Sequence, residues 1–206
     1  MNSYKTVKTD GISEFIERKS RFISYVYPMK NEAEILEKLE LLRKKHYDST
    51  HVVYAYKITE NNIQRFSDDG EPQGTAGVPV LDVINKSGLT DVLVVVVRYF
   101  GGTLLGAGGL VRAYSKSASL GLEEAQIITM CECVNFEIEC PYNMLGKIQY
   151  VLNENNAFKT DILYEENITL KYYIKEDEFS KLQKEMTEAT NGTILIVEKT
   201  HEFKAI

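Results

Sequence analysis

Val92-Leu-Val-Val-Val-Val97 runs straight into Arg98-Tyr-Phe-Gly-Gly-Thr-Leu-Leu-Gly-Ala-Gly-Gly-Leu-Val-Arg112, and the reading of this stretch decides the first part of the fold. An unbroken apolar run of strand length, rich in valine, reads as a central strand apolar on both faces. Five of the next fifteen residues are glycine. Glycine reaches positive φ without steric cost and lets a ligand approach the backbone. Such a turn at a strand end exposes N–H groups that can cradle an anion. An arginine at each end supplies a planar fork for phosphate or carboxylate. Arg98, Tyr99, Gly101, Gly102, Gly106, Gly108, Gly109 and Arg112 are therefore candidate ligand-binding residues. The plainer reading is that the glycines only permit close helix–strand packing.

Outward from this stretch the pattern alternates between sheet and helix. Tyr4 to Val7 is a short β-rich segment, and Lys19–Tyr27 alternates as a strand ended by Pro28. Asn31 can cap a helix through about Lys45, with Glu32 and Glu34 favoured by the dipole in its first turn. His51–Ile58 reads as a strand, Asn61-Asn62 as a turn, and Gln64 to Gly77 as an extended polar loop. Val78 to Asn85 fits either element. A helix follows from near Gly108 to Ala125.

Past Thr129 the order is strand (Cys131–Glu139), helix (Tyr142–Asn155), two strands (Ala157–Tyr164 and Ile168–Ile174), helix (Glu176–Thr190) and strand (Thr193–Glu202). Glu166-Asn167 marks the hairpin and Asn191-Gly192 the helix end. This β-α-β-β-α-β order is the ferredoxin-like arrangement. The fold class is thus α+β in two domains, 1–130 and 131–206.

The chain has 206 residues and a net charge of −6. From Val134 onward the net charge is −5, leaving −1 for the rest. Neither part has the basic balance of a dedicated nucleic-acid binder, and no DNA specificity is expected; RNA contact would need a local patch. Cys131, Cys133 and Cys140 are odd in number and lack metal-ligand spacing, so reduced thiols in a strand are expected. No apolar run is long enough to span a bilayer, and the amino-terminal residues Met1 to Thr6 carry no apolar signal region. A cytoplasmic protein is the expectation.

A second motif, Arg65-Phe-Ser-Asp-Asp-Gly-Glu-Pro-Gln-Gly-Thr-Ala-Gly77, adds Arg65, Ser67, Asp68, Asp69 and Glu71 to the candidates. Clustered carboxylates repel unless a cation or buried donors offset them. Asp-Asp-Gly is also ordinary turn chemistry, and the carboxylates can cap a helix or pair with arginine. A divalent ion is the other reading. No metal ligand or cofactor is assigned. The glycine turn has neither the Gly-Lys-Ser/Thr ending of a phosphate-binding loop nor the dinucleotide spacing. His51 reads as a packed, hydrogen-bonded histidine, and no Ser-His-Asp set can be assembled.

At Lys19-Ser-Arg-Phe22, His51 with Ala55-Tyr56, Ser67–Gly77, Arg98–Gly102 and Leu105–Tyr114 the sequence resembles the IMPACT family, in its bacterial YigZ-like branch. Val97 and Ala107 stand where threonine is frequent in that family. The resemblance implies an N-terminal domain with a ribosomal-protein-like α/β fold and a ferredoxin-like C-terminal domain similar to the last domain of elongation factor G. It supplies no catalytic residues. Kinase regulation, known for eukaryotic relatives with a further domain, is not carried over.

The leading expectation is a non-enzymatic accessory factor or regulator of translation, with RNA or the ribosome as partner. Arg98 and Arg112 would meet phosphate, Asp68, Asp69 and Glu71 would orient them, and the acidic C-terminal domain would face a protein partner. The alternative is an enzyme acting on a small phosphorylated or carboxylated ligand with a divalent ion in the acidic loop. A protein–protein adaptor is a third reading, if the surface around Tyr99 and Phe100 is flat and apolar.

Overall fold

The computed structural model describes residues 3–206. Met1 and Asn2 of the amino-terminal stretch read above lie outside the described residues. The chain divides into two compact units, Tyr4–Thr129 and Met130–Ile206, the second joined by Ser3. Each is α+β.

After a short β1 (Ser3–Val7), the first unit holds β2 (Gly11–Glu17), β3 (Ser20–Pro28), β4 (His51–Ile58), β5 (Ile63–Ser67) and β6 (Val92–Tyr99). They form one antiparallel sheet in the order β2-β3-β6-β4-β5. β6 is central, which is why it is apolar on both faces. Val92, Val94 and Val96 pack with α2 (Gly77–Lys86) and α3 (Ala107–Ala125) on one side. Leu93, Val95 and Val97 pack on the other side, in the cluster that holds Ile35, Leu39 and Leu42 of α1 (Glu32–Lys45). Double coverage, which demands such sequences in parallel sheets, acts the same way here on an antiparallel strand. Asn31 caps α1, its Oδ1 accepting from Glu34 N at 2.9 Å.

Three segments differ from the sequence reading. Gly11–Glu17 is a strand the pattern did not reveal, paired to β3 through the two-residue turn Arg18-Lys19. Both turn residues lie at positive φ, 46° and 66°. Hairpin turns of this kind prefer Asn-Gly, so Arg-Lys gave no signal. Part of the supposed loop, Ile63–Ser67, is edge strand β5. The ambiguous Val78–Asn85 is helical within α2; Pro79 falls in its first turn, where a missing N–H leaves no bond unmade.

The second unit takes β7 (Ile127–Cys140), which carries the chain in from the first, then α4 (Leu145–Glu154), β8 (Phe158–Tyr164), β9 (Ile168–Lys175), α5 (Glu176–Thr190) and β10 (Ile196–Ala205). The order β10-β7-β9-β8 is the ferredoxin-like βαββαβ sheet. Val134, Phe136 and Ile138 alternate inward against Ile148, Leu152, Phe179, Leu182 and Met186. Asn191 ends α5 in the left-handed region at φ 50°. The three cysteines are unpaired thiols; burial pushes the Cys133 and Cys140 thiols above their ordinary pKa.

Candidate functional site

The glycine motif begins where β6 leaves the sheet. Arg98 follows Val96 on the α2–α3 face, with Phe22 of β3 and His51 of β4 as its cross-strand neighbours. An arginine is tolerated there because its charge is matched. Its Nη1 donates to Glu71 Oε1 at 2.5 Å, and both side chains are almost fully buried. Nη2 donates to Ser20 Oγ at 3.3 Å. Tyr114 of α3 also donates to Glu71 Oε1, at 2.8 Å. Burial first, and the adjoining Glu71 carboxylate second, hold the Tyr114 phenol far above its usual pKa, so it serves only as donor. The guanidinium lies 5.5 Å from the Phe22 ring centre and 5.6 Å from that of Phe100. Arg98 Nε is buried without an acceptor.

The acidic segment is mostly a scaffold. Asp68 Oδ1 accepts from Ala76 N at 3.1 Å and Gly77 N at 2.7 Å, and its Oδ2 accepts from Gly74 N at 2.9 Å. It therefore caps the start of α2 from eight residues away, which Ala76 at the cap position cannot do. Asp69 Oδ2 accepts from Val52 N at 2.6 Å, tying the loop to β4. Ser67 Oγ accepts from Asp69 N at 3.2 Å. Only Glu71 enters the buried hub. Among the described residues no group of three or more acidic, histidine or cysteine side chains could hold a metal ion.

His51 is both packed and placed at the site. Its Nδ1 donates to the Asp69 carbonyl at 2.7 Å, which fixes the tautomer, and Nε2 lies 3.8 Å from Glu71 Oε1. His51, Glu71 and Arg98 form the polar side of a cavity of about 410 Å³. Phe100, Leu104 and Leu105 form its apolar side, and Phe100 and Leu104 are exposed at 46% and 82%. Gly106 and Ala107, at the amino end of α3, complete the wall. Gly106 has φ 72° and ψ 164°, a conformation nearly closed to other residues. The first-turn N–H groups of α3 meet no side-chain cap, so the positive end of the dipole faces this wall.

The two motifs therefore meet at Gly70–Pro72 and Gly106–Ala107, while several candidates go elsewhere. Tyr99 points to the opposite face of the sheet, where its hydroxyl meets His46 Nδ1 at 2.8 Å and donates to Asp48 at 3.3 Å. Strand alternation after Arg98 makes this unavoidable. Arg65, on edge strand β5, is exposed, with Nε 3.7 Å from a Glu32 carboxylate oxygen. Arg112 and Gly109 line an adjoining cavity. A Cβ at Gly101 would lie 2.0 Å from the carbonyl carbon of Lys19, so this glycine serves close packing. Gly102 has φ 79° and supplies the turn, while Gly108 has open space around it. Arg98, expected to meet phosphate, is ion-paired with Glu71, and Arg98 and Arg112 line different cavities. The sequence reading missed the apolar wall; Leu104-Leu105 inside a glycine-rich turn was the available signal.

Residues 18–122, which contain both motifs and the whole cavity, match the Impact N-terminal domain. The chain belongs to the IMPACT family. Its residues 138–193 match a second family described as a domain of unknown function, DUF1949. The IMPACT family member YvyE of Bacillus subtilis (strain 168) is 43% identical over 193 residues, covering 93% of this chain and 89% of that one. The IMPACT family member YigZ of Escherichia coli (strain K12) is 28% identical over 183 residues, 87% of this chain and 90% of that one. Protein IMPACT of Bos taurus is 37% identical over 95 residues, 44% of this chain and 30% of that one. A crystal structure of a hypothetical protein superposes with a TM-score of 0.61 at 26% identity, covering 98% of this chain and all of the other. For the described residues, no helix is long and apolar enough to cross a membrane.

Proposed function

We propose that this IMPACT family chain is a non-enzymatic accessory factor of translation that holds an unpaired RNA nucleotide in the cavity between its two motifs. The observation that carries the reading is the composition of that cavity: an apolar wall with an exposed aromatic ring, facing a buried polar wall, beside the uncapped end of a helix. A nucleotide has the matching parts. Its base stacks on an aromatic face, its edge hydrogen-bonds, and its phosphate suits helix N–H groups. The buried wall offers both kinds of partner. With Nδ1 donating to the Asp69 carbonyl, His51 leaves Nε2 for a further hydrogen bond, beside the Glu71 carboxylate and the Arg98 guanidinium. The translation setting follows the family resemblance, and the acidic second unit suits a protein partner, since carboxylates repel a polyanion.

The test is fluorescence anisotropy with a labelled single-stranded oligoribonucleotide at low salt. Phe100→Ala removes the stacking face and should weaken binding by roughly tenfold, one base stack being worth about 1–3 kcal/mol. Ala107→Glu places a carboxylate in the first turn of α3, which favours the helix but repels phosphate. It should abolish binding while leaving thermal stability unchanged or raised. Wild-type affinity in both variants would remove the cavity from the account.

A further inference from the structure

The adjoining cavity that receives Arg112 also takes in Arg18 and Lys116, which lie outside both motifs. It has a volume of about 240 Å³ and lies between the Arg18-Lys19 turn and the outer face of α3. Three cations line it, Arg18, Arg112 and Lys116, against one carboxylate, Glu17. None of these four takes part in an ion pair among the described residues. Arg112 and Lys116 are one helical turn apart, a spacing at which like charges repel. Lys116 Nζ sits 4.7 Å from the Phe15 ring centre, a cation–π contact at the edge of the cavity. Arg18 adopts φ 46°, a left-handed conformation that is unfavourable for an arginine. The turn that carries it is clamped: Gly101 packs directly on Lys19, and Gly101 N donates to Ser20 Oγ at 3.2 Å. The fold thus fixes an excess of positive charge in a small recess, an arrangement that concentrates anions.

We infer that Arg18, Arg112 and Lys116 form a phosphate-binding subsite. It rests on the nucleotide reading above and gives it a direction. Leu105 lines both cavities, so the two sites are neighbours across one side chain. A single RNA strand would place one nucleotide between His51 and Phe100 and the adjacent backbone phosphate in the basic recess. This supplies the local positive patch that the overall charge of −6 does not. It also gives the charge role expected of Arg98 to residues free to perform it.

Two measurements on the full chain separate this inference from the reading beneath it. In the first, inorganic phosphate is titrated into isotope-labelled protein. Amide shifts at Gly109 and Ala113 are expected in the wild type and should vanish in Arg112→Ala/Lys116→Ala. In the second, the salt dependence of oligoribonucleotide binding is compared. Loss of one phosphate contact should flatten the log–log slope by about 0.7. The replaced side chains are exposed, and an unchanged melting temperature checks the fold. No phosphate shifts together with an unchanged slope would overturn the subsite while leaving the first cavity standing. Phosphate shifts in a protein that binds no RNA would support the subsite and overturn the nucleotide reading.

Discussion

At the scale of single residues the decisive fact is the state of Arg98. An arginine beside glycines invites a ligand role, but whether it is free depends on what the fold brings to it, and Glu71 lies 27 positions away in the chain. The pair is buried, so removing one partner strands the other's charge in a medium that cannot solvate it. Arg98→Ala should cost about 3–5 kcal/mol in denaturant unfolding. Loss of binding in that variant would thus report on folding, whereas Phe100→Ala leaves the ion pair intact. A stability change under 1 kcal/mol would show that the pair is solvated. His46 makes a second prediction. It is held between Tyr25 and Tyr99 by two hydrogen bonds of 2.8 Å. Burial first, then Lys45, lowers its pKa from the ordinary 6.5. The unfolded chain then takes up a proton that the native state resists. Stability is complete above pH 6.5, falls as the pH drops toward the lowered native value, and levels off below it. His46→Gln should flatten stability against pH in the range just below 6.5, read from melting temperatures. An unaltered slope would assign that window to other groups. Neither Tyr25 nor Tyr99 stands near His46 in sequence, and no spacing could have shown the triad.

At the scale of elements, the structure depends on loops doing the work of caps and on glycines permitting contact. Helix α2 has no side-chain cap at its own start and takes one from Asp68. Asp68→Ala leaves three N–H groups without their charged acceptor. About 3 kcal/mol of stability should be lost, each hydrogen bond to a charged group being worth about 1.5–3 kcal/mol before water replaces it. The alternative of a metal ligand predicts a loss only in the presence of the ion. Gly101→Ala should cost about 2–3 kcal/mol, because the Lys19 carbonyl is backbone and has little room to retreat. A neutral result in chemical denaturation would mean that the Arg18-Lys19 turn is loosely held, and the basic recess with it. The bracing role of Asp68 was one of the two readings the sequence left open. The hairpin before β3 was hidden, since its turn is made by residues that strain to adopt it.

For the whole molecule, long periodic signals carried through, while the strands β2 and β5 did not show. The βαββαβ order of the second unit was readable because its helices and β9 are amphipathic, α5 (Glu176–Thr190) burying Phe179, Leu182 and Met186 and β9 every second residue. The first unit yielded its central strand and longest helix but not its edges, where β2 and β5 are only partly covered. Its site was half legible: both motifs converge on one cavity, yet Arg98, assigned to the ligand, is ion-paired with Glu71 inside the fold. The proposed occupant of this cavity is an unpaired nucleotide. Its most direct test is photo-crosslinking with a single-stranded oligoribonucleotide carrying 4-thiouridine, the crosslinked residue being located by mass spectrometry. Crosslinks are expected at Phe100 or Leu104. Crosslinks confined to residues 130–206, or none at protein concentrations that saturate binding, would contradict it.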